Sequence, residues 1–273
     1  MGKVGYREMT VKLAFLGTGT CHSTPRNPSA IALSNGDVTA MIDCGGGSYH
    51  QISRIADSHF SRDRIACVVL THFHIDHVAG LADLIWGEMW APGGARTAPL
   101  TIAGPTGLRS FVDDRLLPFI GDHGLPFELR TLEFREGETF NGPFFNAQSV
   151  KLLHQEPSTG WLLSIEGTRL LITGDTGMCD NLPAALSESD IAVMEWSEPG
   201  ESDYSHHISG PDIRRLMEMG VLPGKVYITH IYLPRGKSFE GQTRENRDYL
   251  GDAAGMIHFP RDLDIITIGR EVP

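Results

Sequence analysis

This sequence has few basic residues and no basic cluster, which limits what it can bind. Among 273 residues, 23 are Lys or Arg and 34 are Asp or Glu, so the net charge is −11. Proteins that bind polynucleotides usually carry a basic face, and no run of Lys or Arg occurs here. The charge disfavours a polynucleotide substrate, although a local basic patch would be compatible with one.

The chain also has few cysteines and no long apolar run. The four cysteines lie far apart and form no Cys-x-x-Cys pair, so we expect them to be reduced and the protein to be cytoplasmic. The first residues, MGKVGYREMTVKLAFLG, lack the apolar core and cleavage site of a signal peptide. No apolar segment approaches the roughly 20 residues of a membrane helix, and we expect no membrane partner.

What the sequence does contain is a series of short apolar or β-branched segments, each bounded by Gly, Pro, Asp or Asn, which predict strands. They are VKLAFL (11–16), VTAMID (38–43), IACVVL (65–70), LTIA (100–103), SVKLL (149–153), WLLSI (161–165), RLLIT (169–173), IAVME (191–195), KVYITH (225–230) and DIITI (264–268).

Helical periodicity appears between some of these segments, in HVAGLADLIWGEMW, PTGLRSFVDDRLLPFI and GPDIRRLMEMG. No linker, repeat or low-complexity segment divides the chain. We therefore predict one α/β domain over residues 1–273, with sheets inside and helices outside.

The segment THFHIDH (71–77) places three histidines and an aspartate directly after a predicted strand. His72 and His74 alternate along extended chain, so their side chains can point the same way. Asp76 and His77 follow at the predicted start of a helix. Imidazole and carboxylate ligands together suit Zn²⁺ and related transition metals. The alternative is a histidine-rich surface turn.

A catalytic metal site also needs ligands from elsewhere, and three further candidates each follow a predicted strand. His154 follows SVKLL, Asp175 follows RLLITG and His230 ends KVYITH. Polar residues at strand ends tend to gather at the sites of α/β sheets. Taken singly, each would be interpreted as a structural or surface residue, but together with residues 71–77 they predict one site.

THFHIDH matches the HxHxDH signature of the metallo-β-lactamase fold superfamily, and the later candidates follow in the order of its later motifs. The segments LAFLGTGTCHSTPRNPSA, MIDCGGGSYHQ and PLTIAGPTGL resemble its ribonuclease Z and phosphodiesterase branch. The resemblance covers about residues 11–235. It implies a metal-dependent hydrolase with a four-layer αββα sandwich and a site at one edge, between the sheets.

The resemblance further implies two divalent metal ions, which we expect to be Zn²⁺, with Mn²⁺ or Fe²⁺ as alternatives. It assigns the seven candidates as follows: His72, His74 and His154 to one ion, Asp76, His77 and His230 to the other, and Asp175 to both. Such a pair can lower the pKa of a water molecule and polarise the substrate that the water attacks. We also place Asp76 among the catalytic residues.

The same branch carries a Glu at the end of a strand and a His before a helix, and Glu195 and His207 in MEWSEPGESDYSHHISGPDIRRL match them. A phosphodiester leaving group is poor unless it is protonated, and a His oriented by a carboxylate can deliver the proton. His206 is the alternative acid. A His pair that only begins a helix-capping loop is the structural alternative.

The sequence departs from the tRNA-processing members of this branch, which commonly carry a long inserted arm between the third and fourth motifs. Here only QEPSTGWLLSIEGTRLLITG, enough for one hairpin, separates His154 from Asp175. With the net charge of −11, this argues against tRNA and for a small or medium phosphodiester. Because dimers are common in the family, we expect a homodimer.

Three other segments carry expectations about the site. DCGGG (43–47) predicts a close backbone approach, with Asp43 accepting the second N–H of a metal-binding His. GTGT (17–20) lacks the third glycine of a dinucleotide fingerprint and the Lys of a P-loop, so we interpret it as a tight turn. In LIWGEMWAPGGARTAP (84–99), we expect Trp86 in the core and Trp90 in the wall of a pocket.

Three other functions are compatible with these residues. A lactonase or β-lactamase would use the same water against a carbonyl group and would not require a separate acid, although Asp175 disfavours the β-lactamase. Hydrolysis of a sulfate ester is chemically similar to hydrolysis of a phosphodiester, so a sulfatase activity is also compatible. The other class is a non-enzymatic metal-binding scaffold, which the full set of seven candidates disfavours.

Overall fold

The computed structural model describes residues 10–23, 25–197, 200, 205–233 and 236–269, apart from the side chains of residues 252–254. In chain order the strands are β1 (Val11–Gly17), β2 (Ala30–Ser34), β3 (Thr39–Ile42), β4 (Ile65–Val69), β5 (Leu100–Pro105), β6 (Leu129–Phe134), β7 (Thr139–Asn141), β8 (Asn146–Val150), β9 (Gly160–Ile165), β10 (Thr168–Ile172), β11 (Ile191–Glu195), β12 (Lys225–Thr229), β13 (Ile257–His258) and β14 (Ile265–Ile268).

The helices lie between these strands along the chain. They are α1 (Ser48–Ile52), α2 (Ile75–Val78), α3 (Gly80–Met89), α4 (Leu108–Phe111), α5 (Leu117–Ile120), α6 (Asn181–Ser187), α7 (Gly210–Glu218) and α8 (Phe239–Leu250). A π-helical stretch, Val112–Leu116, joins α4 to α5, and 3₁₀ turns occupy Arg62–Arg64 and Gly251–Met256. No helix in the described part of the chain has the length and apolar character that a bilayer crossing requires.

Each of two sheets contains seven strands. The first has the order β14-β1-β2-β3-β4-β5-β6, and the second has the order β13-β12-β11-β10-β9-β8-β7. Strands β3 to β6 are parallel, as are β10 to β13. Parallel neighbours end at the same edge of a sheet, so residues that follow them are brought close together.

The alternation of side chains along the strands produces the layers. In β1, Leu13 and Phe15 pack into the core between the sheets, whereas Ala14 and Leu16 pack beneath the helices on the outer face. A third core, which includes residues of α6, α7 and α8, covers the outer face of the second sheet. Helices therefore cover both sheets, which confirms the predicted αββα sandwich.

Glycines in DCGGG allow the backbone approach that the sequence predicts. A Cβ at Gly45 would lie 2.3 Å from the carbonyl oxygen of Asp76, and one at Gly80 would lie 2.4 Å from the carbonyl oxygen of Gly45. No real Cβ tolerates such distances, so both positions require glycine. The loop after β3 thereby lies against α2 and the start of α3, which fixes the position of Asp76 and His77.

The expectation that Trp86 lies in the core is wrong, whereas that of a pocket wall at Trp90 stays a prediction. Trp86 is 45% exposed and Trp90 is 60% exposed. Their ring centroids are 5.9 Å apart, and both rings lie against His123. The buried stripe of α3 includes Leu81, Leu84, Ile85 and Met89. Trp86 lies outside this stripe because the buried face of α3 is offset by about one residue from the apolar face that the sequence pattern predicts.

All four cysteines are free. Cys44 and Cys67 are fully buried, and burial raises the pKa of both thiols to about 12. These two cysteines are therefore small apolar core residues without thiolate reactivity.

Candidate metal centre

The candidate site forms where strand ends from both sheets meet. Residues 71–77 follow β4, and Asp43 follows the parallel strand β3. In the second sheet, Asp175 follows β10, and His230 follows β12. His154 follows β8, which runs in the direction of β10 because both pair antiparallel with β9. All seven predicted ligands therefore lie at one place.

One group of ligand atoms comes from His72, His74, His154 and Asp175 and lies within 4.8 Å of one another. His154 Nε2 is 3.1 Å from His74 Nδ1. Asp175 Oδ2 lies 3.7 Å from His72 Nε2 and 3.8 Å from His154 Nε2. These are distances at which three imidazole nitrogens and a carboxylate can converge on one cation.

A second group contains Asp76, His77 and His230. His230 Nε2 is 3.2 Å from Asp76 Oδ2. The Asp175 carboxylate reaches this group as well, with Oδ1 at 3.2 Å from His77 Nε2 and Oδ2 at 3.2 Å from His230 Nε2. Asp175 thus lies between the two groups.

Hydrogen bonds on the far side of each ring orient the histidines. His77 Nδ1 donates to Asp43 Oδ2 at 2.7 Å, and the Thr71 backbone N–H donates to Asp43 Oδ1 at 2.8 Å. Asp43 can do this because it adopts a left-handed conformation with φ of 56°. A proton held on Nδ1 leaves the lone pair of Nε2 directed at the cluster. The orienting role predicted for Asp43 is present in the geometry.

Two rings of the first group, those of His154 and His74, are oriented in the same way by two other acceptors. His154 Nδ1 donates to the carbonyl oxygen of His206 at 3.0 Å. His74 Nε2 donates to Gln155 Oε1 at 2.9 Å, so Nδ1 of that ring faces the cluster. Gln155 was not singled out from the sequence, although its position directly after His154 could have identified it.

Three buried atoms at the centre of the site have no hydrogen-bond partner in the described part of the chain: His72 Nε2, His77 Nε2 and Asp175 Oδ1. An unpaired buried polar atom costs about 1–3 kcal/mol, and folded proteins rarely collect three in one place. Imidazole and carboxylate groups are the ligands that Zn²⁺ and related transition-metal ions prefer. The residues therefore fit two divalent cations.

The pKa shifts of His72, His154 and Asp175 agree with this fit. Burial lowers the pKa of His72 well below its usual range and that of His154 to about 4, so both rings are neutral and can donate a lone pair. Burial alone would raise the pKa of Asp175, but His230 and His77 outweigh it and hold the pKa well below its usual range. Asp175 is thus ionised, as a metal ligand must be.

Glu195 and His207 form a hydrogen-bonded pair beside the cluster. Glu195 ends β11, is 1% exposed, and has both Oε atoms 3.0 Å from His207 Nδ1. It also accepts the backbone N–H of Thr176 at 2.6 Å and the hydroxyl of Ser197. Burial raises the pKa of Glu195, while the hydrogen bond from His207 opposes that change. The carboxylate therefore fixes the direction of the His207 ring.

His207 lies next to the proposed ligands, whereas His206 does not contribute its ring. The His207 ring stacks on the His230 ring with centroids 5.7 Å apart and an angle of 12°. Ligand-type atoms of Asp175, His207 and His230 lie within 4.8 Å of one another. The side chain of His206 is exposed. Its carbonyl oxygen accepts from His154, and its ring lies edge-on to the His154 ring with centroids 6.4 Å apart.

Ser197 connects the two parts of the site and was missed in the sequence. Its hydroxyl donates to Glu195 and lies 3.1 Å from His230 Nδ1, which donates to it. A serine two residues past a strand end carries little signal of its own. Its position after Glu195 was the only available indication.

Comparisons with known proteins place this geometry in context. Residues 23–229 match the family model described as the metallo-beta-lactamase superfamily. A curated ribonuclease Z from Exiguobacterium sp. is 38% identical over 152 residues, which cover 55% of this chain and 48% of that protein. The match thus spans about half the length of that relative.

Two solved structures share the fold. The metallo-beta-lactamase fold protein YhfI from Bacillus subtilis has a TM-score of 0.75 and 16% identity, over 95% of this chain and 100% of its own. The short form of human tRNase Z has a TM-score of 0.70 and 21% identity, also over 95% of this chain and 100% of its own. At these identities the likeness concerns the fold alone.

Replacing Asp43 with Asn should weaken metal binding by about 10–100-fold, because the amide no longer accepts the His77 proton with a full negative charge. Asn tolerates the left-handed backbone at this position, so the fold should be kept. Competition with a chromophoric chelator measures the affinity. Asp113→Asn, at an exposed carboxylate outside the cluster, is the control. Unchanged metal affinity in Asp43→Asn would contradict the orienting role.

Proposed function

This chain belongs to the metallo-beta-lactamase superfamily, and we propose that it is a dinuclear metal-dependent phosphodiesterase acting on a substrate of small or medium size. The observation that carries the proposal is the Glu195–His207 pair beside the seven candidate ligands. Opening a lactone or β-lactam ring does not require a separate acid, whereas cleavage of a phosphodiester benefits from protonation of its leaving oxygen.

We propose Zn²⁺ as the resident metal, with Mn²⁺ and Fe²⁺ as alternatives, held by the two groups of ligands that share Asp175. When bound, the two cations supply Lewis-acid polarisation of the phosphoryl group and lower the pKa of the attacking water. Mass spectrometry of metal content on the purified protein tests this assignment. Fewer than two metals per chain after zinc loading would contradict it.

The protein's own residues then handle the protons. Asp76 retains 15% side-chain exposure, so its carboxylate can reach the open side of the site and orient the attacking water. His207, which stacks on His230, delivers a proton from its ring to the leaving oxygen. Glu195 keeps that ring in place and stabilises its protonated form.

The segment between His154 and Asp175 supports a substrate smaller than tRNA. It contains the hairpin of β9 and β10, whose strands pair directly from Thr168 with Ile165 to Ile172 with Trp161. This segment therefore offers no arm to grip a polynucleotide. The net charge of −11 adds repulsion toward a phosphate backbone.

Hydrolysis of bis(p-nitrophenyl) phosphate should far exceed that of a lactone, nitrocefin or a precursor tRNA, with metal content determined on the same zinc-loaded sample. The expected order follows from the acid pair and the absence of an arm between the ligands. Dominant turnover of the lactone or nitrocefin would move the protein to the ring-opening hydrolases. Efficient cleavage of the precursor tRNA would overturn the proposed limit on substrate size.

His207→Ala should lower kcat by about 10²–10⁴-fold for a diester with an alkoxide leaving group, because general acid catalysis typically contributes that factor. The same variant should lose far less with p-nitrophenyl leaving groups, which depart without a proton. Steady-state kinetics on the two substrate types, with metal content measured in parallel, gives this comparison.

His206→Ala is the matched control for this prediction, since the His206 side chain is exposed and belongs to none of the ligand groups found among the described residues. We expect kcat close to that of the unchanged protein on both substrates. An equal loss on both leaving groups in His207→Ala, or loss of bound metal, would show that His207 does not act as the acid.

We also propose that the chain forms a homodimer through the aromatic patch of Trp86, Trp90 and His123. Aromatic side chains with the exposure of these tryptophans, 45% and 60%, are typical of protein interfaces. Static light scattering should therefore give twice the chain mass of 29.9 kDa, and Trp90→Ser should shift the mass toward the monomer. The matched control is Met219→Ser, at an exposed apolar residue elsewhere. A monomer for the unchanged protein would refute the proposal.

A cytoplasmic location is part of the same proposal, because four free cysteines fit a reducing compartment. Cell fractionation of the source organism measures it, and recovery in an extracytoplasmic fraction would contradict it.

A further inference from the structure

A pocket of about 350 Å³ opens directly beside the candidate metal centre. His72 and His74 belong both to its lining and to the first group of ligands. The other walls come from the loop 155–157 and from the helical segment that contains α4 and the π-helical stretch after it. The volume falls within the range of about 300–1,000 Å³ that is typical of small-molecule sites.

Two parallel phenylalanine rings form the apolar wall of this pocket. Phe73 and Phe111 stack with centroids 5.0 Å apart and an angle of 3° between the rings. Both side chains are partly buried and pack against the core beneath the helices, which holds them in place. Phe73 lies between His72 and His74, so the wall begins at the ligands themselves. Each ring covers one face of the other, so the pocket has a preformed aromatic wall next to the metal centre.

The charges around the pocket nearly cancel. Asp114 and Arg115 contribute one charge of each sign to the lining, and Glu156 is offset by Lys151 at 3.5 Å. A second phosphate would find no net positive charge here. Gln155 and Ser110 supply polar groups that can hydrogen-bond a neutral ligand. This combination suits an uncharged planar group with polar edges.

We propose that the pocket of Phe73 and Phe111 binds the nucleobase of a nucleotide diester whose phosphate lies at the metal centre. The proposal rests on the proposed phosphodiesterase function and names its substrate class. Stacking on an aromatic side chain is available to every base because each has a π face. The pocket would therefore select nucleotides over simple alkyl diesters without reading one particular base.

Binding of two phosphate monoesters to the zinc-loaded protein tests this directly. Adenosine 5′-monophosphate and ribose 5-phosphate carry the same phosphate and sugar and differ in the base. Isothermal titration calorimetry should give an affinity about 5- to 100-fold higher for adenosine 5′-monophosphate, since base stacking on an aromatic residue typically contributes a factor in that range. Equal affinities, or no binding of the nucleotide at millimolar concentration, would overturn the proposal.

Variants of Phe111 test whether the preference for adenosine 5′-monophosphate arises in this pocket. Phe111→Ala should remove the preference and leave the affinity for ribose 5-phosphate unchanged. Phe111→Leu keeps apolar volume without a ring, so it should lose most of the preference even if the alanine variant does not fold. Phe119→Ala makes the same chemical change at a residue that is 80% exposed and outside the pocket, and it should keep the preference. Equal weakening of both ligands in the Phe111 variants would overturn the proposal.

The two proposals fail in different ways. Preference for adenosine 5′-monophosphate without hydrolysis of any diester would support the base pocket and refute the proposed phosphodiesterase function. Hydrolysis of small diesters together with equal binding of both monoesters would support the proposed phosphodiesterase function and refute the base pocket.

Discussion

The buried carboxylate of Asp43 is the constraint on which the site depends. It accepts the backbone N–H of Thr71, where the chain leaves β4, and the ring N–H of His77 in α2. One side chain thereby fixes both ends of the segment that contains four of the seven proposed ligands. The close contact of Gly45 and Gly80 holds α2 against the same loop. The resulting rigidity allows ligand atoms to remain buried and unpaired, as a metal centre requires.

The positions of the proposed ligands were predictable because their chemistry coincides with simple structural signals. His72 and His74 share a short extended segment, and His154, Asp175 and His230 each follow an apolar strand. Strand ends of an α/β sheet converge at one edge, so sequence-distant residues of this type gather there. The layer order of the fold, by contrast, came from the family resemblance and not from the strand pattern alone.

Other features lacked a signal of that kind. Helix α8 buries Gln242, Thr243 and Asn246, so its buried face is partly polar and shows no hydrophobic stripe. Strand β8 begins at Asn146, three residues before the apolar run that suggested it, because only one of its faces is buried. Trp86 was misplaced by one residue of helical phase. Ser197 and Gln155 act through hydrogen bonds that no periodicity reveals.

The bond from His154 to the carbonyl oxygen of His206 has a thermodynamic consequence. That carbonyl belongs to the peptide unit that joins His206 to His207, so a proposed ligand and the proposed acid are attached to the same rigid plane. Any rotation of this plane changes both at once. Reciprocity of linked equilibria then requires that the effect of cation binding on the position of the acid equals the effect of that position on cation binding.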